Sequence, residues 1–419
     1  MRTDRLGDLG APPTVLAALA AATAGSGLPP PAALIGEWFE SRAVIAPSVA
    51  LSPVAPGAVF DVPIAGTEAG GAVGGGWFGY LSYPDPGADG RPPRLPEAAG
   101  GWSDSVLRCA PDGTWWHESL SGVPLSDWVA AALREQAEPR PAVVTWEEPD
   151  RAAHQRGVRD CLAAITAGEV YQACVCTQFA GALDGRPVDF FVDAVVRTGP
   201  ARAAFLAGDW GAIASLSPEL FLCRRGETVT SSPIKGTLPR YADPADLRAS
   251  VKDVAENIMI VDLVRNDLGR VARTGSVTVP ELLAVRPAPG VWHLVSTVTA
   301  AVPADTPTSA VLAATFPPAS VTGTPKTRAR ELLRGWEPHR RGIYCGTVGL
   351  ASPMAGCELN VAIRTVEFTP SGAATLGVGG GITADSDPLR EWEECLHKAA
   401  PIVGASVAGP QHRVVELPA

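Results

Sequence analysis

The chain carries 34 lysines and arginines, of which four are lysine, and those four all lie between Lys235 and Lys398. An ammonium can lose its proton and attack carbon; a guanidinium stays charged and cannot. Each lysine sits in a dense polar motif. Lys235 lies in Ser-Pro-Ile-Lys-Gly-Thr, Lys252 in Lys-Asp-Val-Ala-Glu-Asn, Lys326 in Thr-Gly-Thr-Pro-Lys-Thr, and Lys398 follows Glu391 and Glu394. A general preference for arginine accounts for the scarcity but not for the placement, so at least one lysine is expected to be chemical. Lys235 is the first candidate. It follows a β-type run from Thr228 to Ile234 and precedes Gly236, which predicts a strand end facing a cleft. To be nucleophilic near pH 7 its amine must be partly neutral, through desolvation or a nearby cation. Glu219, in Leu-Ser-Pro-Glu-Leu-Phe, opens the preceding strand and could serve as its acid/base partner. A plain cross-strand ion pair fits the same spacing.

Two predicted helices carry acidic pairs. The first spans about 244–268 with Asp243 as N-cap; Val254, Ile258, Val261, Leu263 and Val264 form its apolar stripe, and Asp253 and Glu256 share a face at i and i+3. The second starts after Ser386-Asp-Pro388 and carries Glu391, Glu394 and Lys398 at i, i+3 and i+7. Mg²⁺ takes one or two protein carboxylates and fills its octahedron with water and substrate oxygens, so two such helices suit it. Taken singly, the pairs also suit ordinary solvated helix faces. The run Gly377-Val-Gly-Gly-Gly-Ile382, directly before the second helix, favours a ligand site, because glycines let backbone approach closely. It is not a dinucleotide fingerprint, since Ile382 stands at the third glycine position, and no Walker A loop is present. Arg364 ends an apolar strand, as a carboxylate-binding fork would. His293 could orient a hydroxyl or be a satisfied core histidine.

These groups need a scaffold, and 419 residues at 46% hydrophobic and 19% charged can supply a globular core. A net charge of −10 argues against nucleic acid and anionic membrane as partners, and no stretch approaches bilayer-spanning length. The eight cysteines show no metal-type spacing and read as reduced, buried thiols of a cytoplasmic protein. Residues 1–140 are rich in Ala, Gly and Pro and poor in motifs, and Glu138-Pro-Arg-Pro141 is the candidate linker. A catalytic region at 141–405 and a tail at 406–419 follow. Helices and strands are interspersed without βαβ spacing, which excludes a doubly wound sheet.

Taken together, the blocks Ser-Pro-Glu-Leu-Phe, Pro-Ile-Lys-Gly-Thr, Glu-Asn-Ile-Met-Ile-Val-Asp-Leu-Val-Arg-Asn-Asp-Leu-Gly-Arg, Phe-Pro-Pro-Ala-Ser-Val-Thr-Gly-Thr-Pro-Lys, Asn-Val-Ala-Ile-Arg-Thr and Gly-Gly-Gly-Ile-Thr-Ala-Asp-Ser-Asp-Pro resemble the signature of chorismate-utilising enzymes. The resemblance runs from about Arg151 to Pro401. It implies an α+β fold, a sandwich of two large antiparallel sheets flanked by helices, with the N-terminal region woven into the same unit. It implies Glu256 and Glu394 as Mg²⁺ ligands backed by Asp253 and Glu391. Tyr344, Arg364, Gly379, Gly381 and Lys398 would hold substrate carboxylates with Thr237, Glu219 would be the general acid/base, and His293 would line the pocket. Lysine at 235 is similar to the branch that aminates chorismate at C4 for p-aminobenzoate and folate synthesis, the aminodeoxychorismate synthases. Anthranilate synthases usually have alanine there. Water-adding relatives carry a lysine base where this chain has Gln172. No cysteine lies in a Gly-x-Cys-x-Gly-x-Gln context, so a separate glutamine amidotransferase subunit is the implied ammonia source. Anthranilate formation and a non-catalytic scaffold that activates a glutaminase are the alternatives.

Overall fold

The structure is a computed structural model and describes residues 1–64, 71–84, 92–135 and 140–404. The expected tail at 406–419 and part of the expected linker lie outside these residues. Among the described residues the chain forms two large antiparallel sheets flanked by helices. The twelve-stranded sheet runs, in spatial order, through Arg2–Gly7, Trp115–Ser119, Ser105–Cys109, Ser41–Ala46, Ala32–Trp38, Arg202–Gly208, Gly211–Ser217, Thr365–Phe368, Ala373–Ile382, Gln172–Asp184 and Gly323–Thr324, with Val143–Glu147 paired beside Gln172–Asp184. The ten-stranded sheet runs through Ile234–Pro239, Val291–Ala301, Thr228–Ser232, Leu220–Arg225, Gly356–Val361, Thr347–Ser352, Gly76–Leu81, Ala98–Ser103 and Ser52–Pro53, with Thr278–Ala288 beside Val291–Ala301. Strands from the first 120 residues thus lie in both sheets alongside strands from the last 80.

The sandwich follows from strands whose two faces are both apolar. In Ala32–Trp38, Ala32 and Leu34 face one cluster while Ala33 and Ile35 face another, as a period of two requires. Between the sheets, Leu34, Val44, Leu206 and Ile213 meet Phe78, Tyr80, Val348 and Leu350. Outside the first sheet, Leu16, Leu19, Phe190 and Phe191 from two helices cover Phe205 and Phe368. Among the described residues no helix is long and apolar enough to cross a membrane. Seven of the eight cysteines are buried; Cys223 is half-buried, and all are free thiols.

Seven elements carry the candidate site: strands β1 (Gln172–Asp184), β2 (Leu220–Arg225), β3 (Ile234–Pro239), β4 (Val291–Ala301) and β5 (Ala373–Ile382), and helices α1 (Val251–Gly269) and α2 (Pro388–Val403). One expectation is corrected here. The single helix predicted over 244–268 is two, Ala245–Ala249 and α1, broken at Ser250. Ser250 is extended (ψ 106°), and its hydroxyl accepts the Asp253 N–H at 3.2 Å, so a capping bond wins over helix continuation. Asp243 caps only the short first piece, through the Ala245 N–H. The buried stripe of α1 is Ile260, Val261, Leu263, Val264 and Leu268, packed on Phe221, Val229 and Val298, while Ile258 is exposed. α2 starts as expected, with Asp387 accepting from the N–H groups of Leu389 and Arg390 and Pro388 in the first turn.

Candidate active site

β5 ends in Gly379, Gly380 and Gly381, which pair with Cys176, Val175 and Cys174 of β1. Successive residues of a strand face opposite sides, so each glycine opens onto a different neighbour. A methyl group built on Gly381 would stand 3.1 Å from Lys235 Nζ, 3.3 Å from Glu256 Oε2 and 3.9 Å from Gln172 Oε1. One on Gly380 would stand 3.0 Å from Glu391 Oε2, 3.6 Å from Glu394 Oε1 and 3.8 Å from Lys398 Nζ. The bare strand end therefore lets the charged groups of β3, α1 and α2 close around it. One on Gly379 would meet Cys176 Sγ at 2.6 Å, and the Gly379 carbonyl accepts from Lys398 at 2.9 Å. Gly379 thus lies close against Cys176 and turns its carbonyl to Lys398, while Gly380, which no sequence motif singles out, faces the carboxylates of α2.

Three of the four acidic groups here each have their own lysine. Lys235 lies 3.7 Å from Glu256, Lys252 3.3 Å from Glu391, and Lys398 2.6 Å from Glu394. Asp253 stands behind them, its Cβ 3.0 Å from where a methyl on Gly236 would sit. Burial raises the Glu256 carboxyl against the pull of Lys235 and Lys252. Burial also works against the charge on Glu394, but Lys398, Lys252 and Lys235 together outweigh it and the carboxyl falls below its ordinary value. Glu391 is buried, and its Oε2 finds no hydrogen-bond partner among the described residues. The donor set is carboxylate oxygen throughout, with one oxygen free, which suits a hard cation such as Mg²⁺. Among the described residues no group of three His, Cys, Asp or Glu side chains forms a ready-made cage. A cation that takes one or two protein carboxylates does not need one.

Lys235 departs from expectation. Burial would favour its neutral amine, yet Cys174 and the carboxylates of Glu256, Glu219 and Glu394 prevail and hold it protonated, well above the ordinary lysine range. Glu219 directly precedes β2, where Leu220 pairs with Ser232, three residues before Lys235 in the chain, and Glu219 and Lys235 act on each other through their charges. Burial pushes its carboxyl up to about 7, against the Ser320 hydroxyl, Lys235, the Ile234 N–H and Arg364, which favour the charged form. A group that titrates there can give and take protons at neutral pH.

Thr237 and His293 face each other across β3 and β4, with Oγ1 and Nδ1 2.9 Å apart. Burial, and then Arg364, lower the His293 pKa to about 4, so the imidazole is neutral. Its buried Nε2 finds no partner among the described residues. Gln172 is fully buried, and neither amide atom is hydrogen-bonded among the described residues. Buried polar groups left without partners call for a reason, and a ligand that supplies the missing hydrogen bonds is one. Arg364 lies in the link after Gly356–Val361, not at its end, in left-handed backbone (φ 51°), a strained conformation for a non-glycine residue. Tyr344 packs its ring over Gly377, two residues up the strand from Gly379. Lys326 is elsewhere: it pairs with Asp267 at 2.5 Å and the Thr315 carbonyl at 2.8 Å, as a buried brace. Lys252 and Ser320 also act on this site, and although both lie inside motifs named above, their spacing in the sequence assigns them no role.

The chorismate binding enzyme family matches residues 68–404. The chain belongs to that family. It is 42% identical over 241 residues to aminodeoxychorismate synthase component 1 of Escherichia coli (strain K12), covering 56% of this chain and 53% of that protein. It is 36% identical over 366 residues to aminodeoxychorismate synthase of Streptomyces pristinaespiralis, covering 79% and 50%. The chain spans about half the length of these relatives. Anthranilate synthase component I from Streptococcus pneumoniae TIGR4 has the same fold, with a TM-score of 0.70 at 25% identity over 82% of this chain and 84% of that one. The two-sheet architecture expected of a chorismate-binding enzyme is therefore the one observed.

Proposed function

We propose that this chorismate-binding enzyme is an aminodeoxychorismate synthase component I. It would replace the C4 hydroxyl of chorismate by ammonia from a separate glutamine amidotransferase subunit and keep the enolpyruvyl arm. The observation that carries this reading is the Lys235 amine at the Gly381 strand end, beside Glu256 and within the field of Glu219. Glu256, Glu394 and, behind them, Glu391 and Asp253 would hold Mg²⁺, which when bound stabilises charge pushed onto the ring carboxylate. Arg364, Lys398 and Thr237 supply cations and a hydroxyl for the substrate's carboxylates. With the negative charge around it cancelled, Lys235 can release its proton to solvent and add as a neutral amine to C2. Both ring double bonds shift, and protonated Glu219 delivers its proton to the departing C4 hydroxyl, which leaves as water. Ammonia then adds at C4, the double bonds shift back, the C2–N bond breaks to release the lysine amine, and the Glu219 carboxylate takes the surplus proton of the new C4 ammonium. Neutral His293 holds the Thr237 hydroxyl in place at any pH above about 4.

Anthranilate formation is the second reading, since relatives named for it share the fold. Mass spectrometry of the product from chorismate, Mg²⁺ and ammonium separates the two. Aminodeoxychorismate is expected, and fluorescent anthranilate without added lyase would overturn the proposal. Lys235→Ala is expected to abolish turnover while leaving chorismate binding largely intact; an unchanged rate would refute covalent catalysis.

A further inference from the structure

Three of the four lysines ring one acidic cluster, and two of them have evident work. Lys235 faces the Gly381 strand end, and Lys398 donates to the Gly379 carbonyl as well as to Glu394. Among the described residues Lys252 pairs only with Glu391, at 3.3 Å, while Glu256 and Glu394 lie close enough to act on it through their charge. Its side chain is 41% exposed, so it can withdraw without opening the fold. It occupies the second position of α1, directly after the Ser250 cap and Val251. A cation in the first turn of a helix opposes the macrodipole, so helix stability does not account for a lysine there. The buried, unpartnered Oε2 of Glu391 marks where a further cation would be received.

We propose that Lys252 is the counter-cation that keeps a divalent ion from binding this site tightly on its own, so that ion and dicarboxylate substrate bind as a coupled pair. The inference rests on the metal and substrate reading above. With all groups ionised, Asp253, Glu256, Glu391 and Glu394 outnumber the three ammonium groups by one charge. A dication alone reverses that sign, and a dicarboxylate arriving with it restores it. Removing Lys252 leaves two excess negative charges, which a dication alone neutralises. Metal affinity without substrate then rises, and the help each ligand gives the other, which is reciprocal, falls.

The test is Mn²⁺ binding to the full chain, followed by electron paramagnetic resonance, with and without chorismate. Wild type is compared with Lys252→Met, Lys252→Gln and the charge-retaining Lys252→Arg. For a partly exposed charge a few ångströms from a dication, Lys252→Met and Lys252→Gln are expected to bind Mn²⁺ about tenfold more tightly without chorismate. The gain on adding chorismate should shrink by a similar factor, and Lys252→Arg should match wild type. Unchanged or weaker Mn²⁺ binding in both neutral variants, with wild type binding normally, overturns the role of Lys252 alone. Failure of wild type to bind Mn²⁺ even with chorismate overturns the metal reading of the site and this inference with it.

Discussion

Gly381→Ala should silence this enzyme without unfolding it, and Gly379→Ala should do the reverse in kind. Neither glycine needs left-handed backbone, so the substitution is judged by space alone. At Gly381 the nearest atoms are Lys235 Nζ at 3.1 Å and Glu256 Oε2 at 3.3 Å, both far ends of flexible side chains. They can yield a few tenths of an ångström, and alanine also stiffens the unfolded chain by about 0.4–1 kcal/mol. Stability should therefore stay within about 1 kcal/mol of wild type. The chemistry should not survive as well, because the methyl also fills space beside the amine, and holding the substrate about 1 Å away from it costs on the order of 10²-fold in rate. At Gly379 the methyl would meet Val175 O at 2.7 Å and Cys176 Sγ at 2.6 Å. Val175 O belongs to the paired strand and cannot swing aside, so a loss of about 1–3 kcal/mol is expected. Denaturant unfolding gives the first quantity, and product formation under saturating chorismate gives the second. A Gly381→Ala enzyme with wild-type turnover would refute the idea that this glycine is open for the substrate and the amine. Equal unfolding of both variants would refute the distinction between flexible and fixed neighbours.

Glu219 yields a pH prediction. Its carboxyl, raised to about 7 by burial, is protonated below that pH and ionised above it. A step in which it gives a proton should slow as pH rises through 7, and Glu219→Gln should remove that limb and lower the rate by roughly 10²–10⁴-fold. Ser320→Ala removes a hydroxyl that favours the carboxylate, so the limb should move to higher pH; a shift to lower pH would contradict the assignment. Lys326→Met leaves buried Asp267 without its cation and should cost roughly 3–5 kcal/mol in denaturant unfolding. Replacing both partners by apolar residues should recover most of that loss, and no recovery would mean that Lys326 has a role beyond the brace.

The start of α2 was legible because Asp387, Pro388 and the helix that follows are neighbours in sequence. The break at Ser250 was not, since one hydroxyl with two possible uses decides it. Nor was the sheet order, which rests on pairings such as Ala33 with Phe205 and Gly79 with Gly349. The glycine run announced a close approach, but which glycine meets which helix depends on register, and one step along the strand exchanges the faces.

The charge on Lys235 is where sequence and structure part most instructively. Sequence logic asks for a neutral amine; the folded site surrounds it with Glu256, Glu219 and Glu394 and keeps it an ammonium. Both hold if neutrality comes with the ligands. On the proposed reading, a cation held by Glu256 and Glu394 removes the charges that pin the proton, so the amine becomes a nucleophile only when the site is filled. An enzyme whose nucleophile were already neutral would expose a reactive amine to every electrophile that enters. Amine-directed labelling of Lys235 should accordingly be slow in the bare protein and faster at a Mg²⁺ concentration high enough to fill the site without substrate. Equal labelling in both states would show that some other group, not the carboxylates of α1 and α2, governs that proton.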